Sequence, residues 1–228
     1  MKCPFSFLGA ALALATALHG GTISGTVRAA PPIAPGATPG EGGDAYSSRR
    51  YKFVEKIDYA HLRDFVVYVD QEVPGPVQPP GEKVVTTTQR DANFDPHVLT
   101  VAVGTTVRWP NEDDIFHNVF SMSEAKEFDL GYYKKEKVPK VTFDHVGRVD
   151  VFCAIHSRMH CIVLVVPNRF FATTDAHGRF EIPGLPPGTY KLRAWHERLP
   201  GRTVEVTVPA HGDVNADIVL SVGELPKY

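Results

Sequence analysis

The chain has 228 residues, of which 43% are hydrophobic and 22% are charged, a composition that can form an ordinary soluble core. Its formal net charge is −2. No long run of Lys and Arg provides the electrostatic footprint of a nucleic-acid-binding protein, so that class is excluded. The length corresponds to one large domain or two small ones.

Residues 1–17 have the pattern of a cleavable signal peptide. Lys2 gives a positive start, an almost wholly apolar run follows from Phe5 to Leu18, and the tripeptide at 15–17 is an A-x-A cleavage site. The run is too short and too rich in Ala for a good membrane span, and no later stretch reaches about 18 apolar residues. We therefore predict a protein that is secreted or exported to the periplasm, without a membrane span in the mature chain.

The rest of the chain carries many strand signals and few helix signals. Segments rich in β-branched and aromatic residues, separated by Gly, Pro or Asp, recur about every 8–12 residues, which is typical of a β-sandwich or barrel. Short helices are predicted at 56–64 and 122–128. The fold class is therefore predicted to be all-β. The predicted strand segments are 23–28, 64–70, 98–103, 105–109, 140–143, 148–153, 161–166, 178–182, 189–195, 203–208 and 216–220.

Two stretches of biased composition divide the chain. Residues 29–50 are rich in Pro, Gly, Ser and Ala and have almost nothing to bury, so we predict a flexible linker or exposed loop. A similar stretch at 72–83 precedes a strand-rich block at about 84–166, which has a normal domain size. The tail that follows supplies about five strands, too few for more than a marginal sandwich on its own.

Four pieces of the sequence resemble the carboxypeptidase-regulatory-like, or transthyretin-like, β-sandwich. They are the G-x-V strand at 25–27, the strand at 65–69, the T-D-x-x-G-x-F run at 174–180 and the L-P-P-G-x-Y-x-L run at 185–192. Because these pieces lie on both sides of the middle block, the resemblance implies that one domain is inserted into the other. Surface loops tolerate such insertions when their ends lie close together.

The predicted organisation has two β-sandwiches. Residues 23–71 and 168–222 form the regulatory-like sandwich, and residues 72–167 form the inserted domain. The alternative is a tandem arrangement in which residues 23–71 pack on the middle block.

The chemistry of the middle block is concentrated in one loop between two predicted strands. Cys153, His156 and Met159 are spaced three residues apart, and His117 ends another strand about 35 residues earlier. One thiolate and two imidazoles with a weak axial thioether are typical of a blue-copper site. Zinc favours more Cys or His ligands, and iron–sulfur clusters usually need four Cys.

Other ligand patterns remain open at this point. After loss of the signal peptide, Cys153 and Cys161 are the two cysteines left, and in an oxidising compartment they suit a disulfide. His160 and Cys161 directly follow Met159 and are alternative axial ligands. Asp113 and Asp114 are interpreted as a charged turn rather than an acid–base pair. The histidines interpreted as solvated are His97, His145, His177, His196 and His211.

The middle block resembles a cupredoxin of the plastocyanin and amicyanin group. The matching pieces are residues 93–121 with a His-Asn pair, 128–133, 141–159 with the Cys-x-x-His-x-x-Met loop, and 162–166. The resemblance implies a Greek-key sandwich that binds one copper, as Cu(I) or Cu(II), through His117, Cys153, His156 and Met159.

The same resemblance implies two further features. Asn118 would tie the ligand loops together by hydrogen bonding near the Cys153 backbone. An apolar rim beside the copper end would dock a redox protein partner. The predicted rim residues are Phe94, Pro96, Ile115, Phe116 and Ile155.

Three functions compete. The first is single-electron transfer between exported redox partners. The second is a copper-binding structural or interaction module for copper storage or delivery. The third is an enzyme such as a copper oxidase or nitrite reductase, which needs additional copper sites built from His-x-His or His-Cys-His runs. The sequence contains no such run, so we predict that the protein is not an enzyme.

Overall fold

The structure, a computed structural model, describes residues 20–31, 57–73 and 85–222. Within these ranges the chain forms β-strands and no helix, so the predicted all-β class is confirmed. The predicted signal peptide lies outside them, and no described helix is long and apolar enough to cross a membrane. The strands are β1 (Gly21–Ala30), β2 (Val66–Val69), β3 (Val85–Thr86), β4 (Thr88–Arg90), β5 (Asn93–Asp95), β6 (Val98–Ala102), β7 (Thr105–Arg108), β8 (His117–Ser123), β9 (Lys126–Tyr133), β10 (Lys140–Phe143), β11 (Gly147–Phe152), β12 (His160–Val166), β13 (Phe171–Thr173), β14 (Arg179–Leu185), β15 (Gly188–His196), β16 (Leu199–Val208), β17 (Val214–Asn215) and β18 (Ile218–Ser221).

The two helix predictions are wrong. In the segment 122–128, Met122 pairs with Glu127 at the tip of the β8–β9 hairpin, because cross-strand pairing outweighs a modest helix propensity. In the described part of 56–64, the Asp58 carboxylate accepts the Ala60 amide at 3.2 Å. Such local side-chain bonding favours a turn over a helix.

The start of the predicted 29–50 loop also differs from the prediction. Ala29 and Ala30 belong to β1 and pair in parallel with Leu220 and Ser221 of β18. Backbone pairing with a distant strand therefore extends β1 up to the Pro-rich stretch. Residues 32–50 lie outside the described ranges.

The regulatory-like sandwich is built from two sheets that combine the early and late parts of the chain. One sheet has the order β14-β1-β17, with β18 also paired to β1, and the other has the order β13-β2-β15-β16. Their shared core contains Ile23 of β1, Val67 of β2 and Leu192 of β15, all fully buried. Because β1 and β2 pair with strands of the C-terminal tail, the sheet topology favours the proposed insertion over the tandem alternative.

The middle block forms a second sandwich. Its sheets have the orders β10-β7-β3 and β6-β12-β11-β8-β9, and β4 with β5 makes a separate hairpin. β12 pairs in parallel with β6, a strand that is not its neighbour in sequence. The chain therefore crosses over to the other sheet between these two strands. Trp109, Phe143 and Val163 fill the space between the sheets and are fully buried.

An apolar layer joins the two sandwiches. Val66 and Tyr68 of β2 contact Leu164 and Val166 of β12, and all four side chains are buried. Every residue of β2 is therefore buried, as expected for a strand covered on both faces. At about 1.5–3 kcal/mol for each fully buried aliphatic side chain, this layer stabilises the docking of the two sandwiches.

The second sandwich places the predicted ligands at one end of its larger sheet. His117 begins β8, while β11 ends and β12 begins on either side of the loop 153–159. Phe152 of β11 pairs with both Phe120 of β8 and His160 of β12. Adjacent strands thus bring the loop to the same sheet end as His117.

Candidate metal centre

The ligand loop is closed by its own backbone. The Cys153 amide donates to the Met159 carbonyl at 3.2 Å, and the Met159 amide donates to the His156 carbonyl at 3.0 Å. The first and last residues of the loop therefore hold each other in register. This closure fixes the positions from which the Cys153 and His156 side chains project.

Three side-chain donor atoms converge beside this loop. His117 Nδ1 lies 3.2 Å from His156 Nδ1, and Cys153 Sγ lies 3.9 Å from the first and 3.7 Å from the second nitrogen. A point equidistant from the three atoms lies about 2.1 Å from each of them, close to metal–nitrogen and metal–sulfur bond lengths. The donor triangle thus has the size that one metal ion requires, and its two-imidazole, one-thiolate chemistry fits copper.

The donors are shielded from solvent to different degrees. His117 is 0% exposed and Cys153 6%, whereas His156 is partly exposed. Cys153 belongs to the same buried core cluster as Val119 and Tyr133. A bound ion would therefore face a dry interior on one side and the protein edge at His156 on the other.

The structure contains no Cys153–Cys161 disulfide, because both thiols are free and buried. Cys161 belongs to β12, opposite Val151, and burial raises the pKa of its thiol well above the usual range. It therefore remains a neutral, protonated core residue. Cys153 stands apart from it because two imidazole nitrogens approach its sulfur.

The residues that follow His156 have different roles. Met159 is 1% exposed and belongs to the same core cluster as Cys153, so its thioether is on the buried side of the loop. His160 instead binds the Asp150 carboxylate through Nε2 at 3.0 Å, and its ring stacks on Phe152 at 4.8 Å. His160 is thereby committed to other partners, and Met159 remains the predicted axial ligand.

Asn118 does not make the contact that the family resemblance implied. Its Nδ2 donates to Asp129 Oδ1 at 2.6 Å, since pairing of β8 with β9 brings that carboxylate opposite the strand. Asn111, which sequence reasoning missed, holds the segment before His117. Its Nδ2 donates to the Ile115 and Tyr133 carbonyls, both at 3.0 Å.

Asp113 also has a role that the charged-turn interpretation missed. Its Oδ2 lies 2.8 Å from His117 Nε2. An ionised carboxylate can only accept, so Nε2 carries the hydrogen and Nδ1 presents its lone pair to the donor triangle. Burial disfavours the charged carboxylate, but hydrogen bonds from Ala92 and His117 outweigh this and lower the pKa of Asp113. The D-x-x-x-H spacing is compatible with this contact but does not predict it, because the segment is an irregular turn.

His196 is buried, contrary to the prediction that it is solvated. Its ring packs on Phe65 at 5.0 Å, and its Nδ1 accepts the Arg198 amide at 3.1 Å. Burial lowers its pKa, so the neutral ring is favoured. His97 is exposed, as predicted, and its Nε2 lies 3.0 Å from the Glu197 carboxylate, across the boundary between the sandwiches. The three remaining histidines interpreted as solvated are exposed: His145, His177 and His211.

The apolar rim is formed by fewer residues than predicted. Ile115, Phe116 and Ile155 are 48%, 52% and 49% exposed and flank the candidate ligands His117 and His156 in sequence. Phe94 is wrong as a rim residue, because its ring packs edge-on against Trp109 in the core at 5.9 Å. Pro96 is exposed.

The comparison with protein families decides the identity of the C-terminal part. Residues 163–221 match the model of the carboxypeptidase regulatory-like domain. The chain contains a carboxypeptidase regulatory-like domain. This confirms the resemblance predicted for 168–222, although the match begins inside β12, whose strand pairs lie in the second sandwich.

A search of curated proteins gave no match. Among solved structures, a reduced amicyanin variant is 26% identical, covers 43% of this chain and 97% of its own, and has a TM-score of 0.34. A purple cupredoxin from Nitrosopumilus maritimus is 22% identical over 36% of this chain and 98% of its own, with a TM-score of 0.33. A copper-containing nitrite reductase from Thermus scotoductus SA-01 is 25% identical over 43% of this chain and 26% of its own, with a TM-score of 0.37. With TM-scores this low, the choice of metal rests on the donor atoms of this chain.

Proposed function

We propose that this protein is an exported type-1 copper protein that carries single electrons between redox partners. The observation that supports the proposal is the triangle formed by His117 Nδ1, His156 Nδ1 and Cys153 Sγ. Copper bound there would supply a one-electron Cu(I)/Cu(II) couple. Thiolate favours the reduced ion and imidazole accepts both, so one donor set serves both oxidation states.

The protein holds these donors in place through its backbone and core. Loop closure between Cys153 and Met159 fixes one side of the triangle, and the buried His117 on β8 fixes the other. A site whose ligands are already positioned needs little rearrangement when its charge changes. Such a site suits electron transfer better than a flexible one.

His156 is the most exposed of the three donor side chains and so offers an approach from solvent to the donor group. Ile115, Phe116 and Ile155 surround this edge with exposed apolar surface. We propose that a redox protein docks here, since contact with this surface would bring its own redox group close to His156. The predicted signal peptide supports an exported, periplasmic or secreted location.

The competing proposal is a copper storage or delivery module. The two proposals differ in whether copper stays bound during a redox cycle. The test is a one-electron titration of the copper-loaded mature protein, followed by the same cycle with an excess of a Cu(I) chelator. We expect one copper per chain, a reversible one-electron couple and copper retained in both states. Transfer of copper to the chelator on reduction would contradict the electron-carrier proposal and favour delivery.

A further inference from the structure

The Asp113 carboxylate lies behind His117, and the role assigned to it below rests on the proposed copper centre. Asp113 lies four residues before His117 in a non-helical turn. Its side chain is 15% exposed, and the His117 side chain is 0% exposed. The 2.8 Å contact between Oδ2 and Nε2 therefore lies in a largely dry environment, where a charge-assisted hydrogen bond is strong.

A neighbouring turn fixes the orientation of the Asp113 carboxylate. The Asp91 amide donates to Oδ1 at 2.8 Å and the Ala92 amide to Oδ2 at 3.0 Å. Both turn residues have positive φ, 53° and 54°, the geometry of a type I′ hairpin turn between β4 and β5. The turn conformation directs two consecutive amides toward one carboxylate.

The backbone of Asp113 is held as well. Its amide donates to Asn111 Oδ1 at 2.9 Å, and Asn111 is 2% exposed. The carboxylate is thus anchored from the β4–β5 turn and from the loop that leads into β8. These contacts hold the carboxylate in place without His117, so the carboxylate can determine the orientation of the imidazole ring.

We propose that Asp113 is a positioning residue that fixes the tautomer and ring orientation of His117 and lowers the reduction potential of the metal centre. A negative charge next to Nε2–H increases the basicity of Nδ1, which favours the more highly charged Cu(II) ion. In the described ranges His156 Nε2 has no hydrogen-bond partner, so the two imidazoles differ as donors. His117 is the anchored ligand, and His156 is the ligand that faces the edge.

The first test compares Asp113→Asn with Asp114→Asn in the copper-loaded protein. Both variants remove one negative charge, but Asp114 is 92% exposed and pairs with Lys135 rather than with a ligand. We expect Asp113→Asn to lower the ratio of the Cu(II) affinity to the Cu(I) affinity about tenfold. This change raises the reduction potential by about 59 mV. Asp114→Asn should change the ratio less than twofold. Equal shifts in the two variants would overturn the proposal.

A second measurement covers the case in which Asp113→Asn fails to fold. Nitrogen-15 NMR of the metal-free wild-type protein reports which nitrogen of His117 carries hydrogen, with a His117→Gln variant to assign the signal. We expect a hydrogen on Nε2, coupled through the short bond to Asp113. A hydrogen on Nδ1 would overturn the proposal. Failure of the wild-type protein to take up copper would instead count against the proposed function, and this NMR result would still decide the Asp113–His117 contact.

Discussion

The two sandwiches have the same type of apolar core, but each contains a buried histidine that makes different contacts. In the regulatory-like sandwich, His196 is packed against Phe65, and burial lowers its pKa. In the second sandwich, His117 is equally enclosed but converges with Cys153 and His156. One fold class therefore supports both an inert histidine and a candidate ligand.

The comparison shows that burial alone does not make a histidine functional. His196 Nδ1 accepts a hydrogen bond from the Arg198 amide in the turn between β15 and β16. His117 instead has one nitrogen bound by Asp113, which leaves the other directed at a thiol and a second imidazole. Variants at the candidate donors, at the layer between the sandwiches and at His196 should separate these two roles of a buried histidine.

Replacing the candidate thiolate should have the largest effect. We expect Cys153→Ser to abolish the visible absorption of the copper-loaded protein, because thiolate-to-Cu(II) charge transfer is lost, and to weaken copper binding at least a hundredfold. The matched control is Cys161→Ala, which removes the other buried thiol and should keep the colour. Absorption spectra and metal analysis of both variants check this, and a blue Cys153→Ser protein would contradict it.

The layer between the sandwiches should dominate stability without touching the metal centre. Leu164→Ala removes a side chain that is 4% exposed and should lower the free energy of unfolding by about 2–5 kcal/mol, through lost burial and a cavity. Val103→Ala, at a site 37% exposed, should cost less than 1 kcal/mol. Denaturant unfolding of both variants provides the measurement. Equal costs at the two positions would contradict a tightly packed layer.

Removing the predicted axial sulfur should have a moderate effect. We expect Met159→Leu to keep the colour, since the three equatorial donors remain, and to raise the potential because a weak electron donor is lost. The expected shift is about 59 mV, equivalent to a tenfold change in the ratio of Cu(II) to Cu(I) affinity. Voltammetry checks it. An unchanged spectrum and potential would require Cys161 to be reconsidered as the axial ligand.

The smallest effect should come from His196 and should be confined to stability. Burial lowers the pKa of His196 in the folded state from its ordinary value of 6.5. Below pH 6.5 the unfolded chain therefore binds a proton at this residue more readily than the folded chain does. Stability should therefore be complete above pH 6.5 and fall as the pH drops below it. His196→Asn keeps an acceptor for the Arg198 amide and should reduce this fall, whereas the exposed control His177→Asn should not. Denaturant unfolding at pH 7.5 and 5.5 distinguishes them, and identical pH dependence in all three proteins would contradict the account.

Much of the architecture followed from local patterns. Alternating β-branched residues predicted the strands, and the Cys-x-x-His-x-x-Met spacing predicted side chains that the structure brings to one sheet end. Local patterns failed where a distant partner decides the outcome. The segment 122–128 became a hairpin through pairing of β8 with β9, and His196 is buried because Phe65, far away in sequence, covers it.

The site itself was predicted less completely than the fold. The candidate ligands could be predicted because donor type and spacing constrain the metal chemistry. The Asp113–His117 bond was not, because spacing in an irregular turn does not say which way a carboxylate points. Its orientation depends on the positive-φ turn at Asp91 and Ala92, and a sequence without a glycine there gives no sign of that conformation.

We expect one sulfur and two imidazole nitrogens of this chain to bind a single copper ion. X-ray absorption at the copper edge of the copper-loaded protein measures these three bonds. The expected result is one copper per chain, with two nitrogen ligands and one short sulfur ligand that disappears in Cys153→Ser. A first coordination shell without that sulfur, or a chain that binds no copper with Cys153 joined to Cys161, would contradict it.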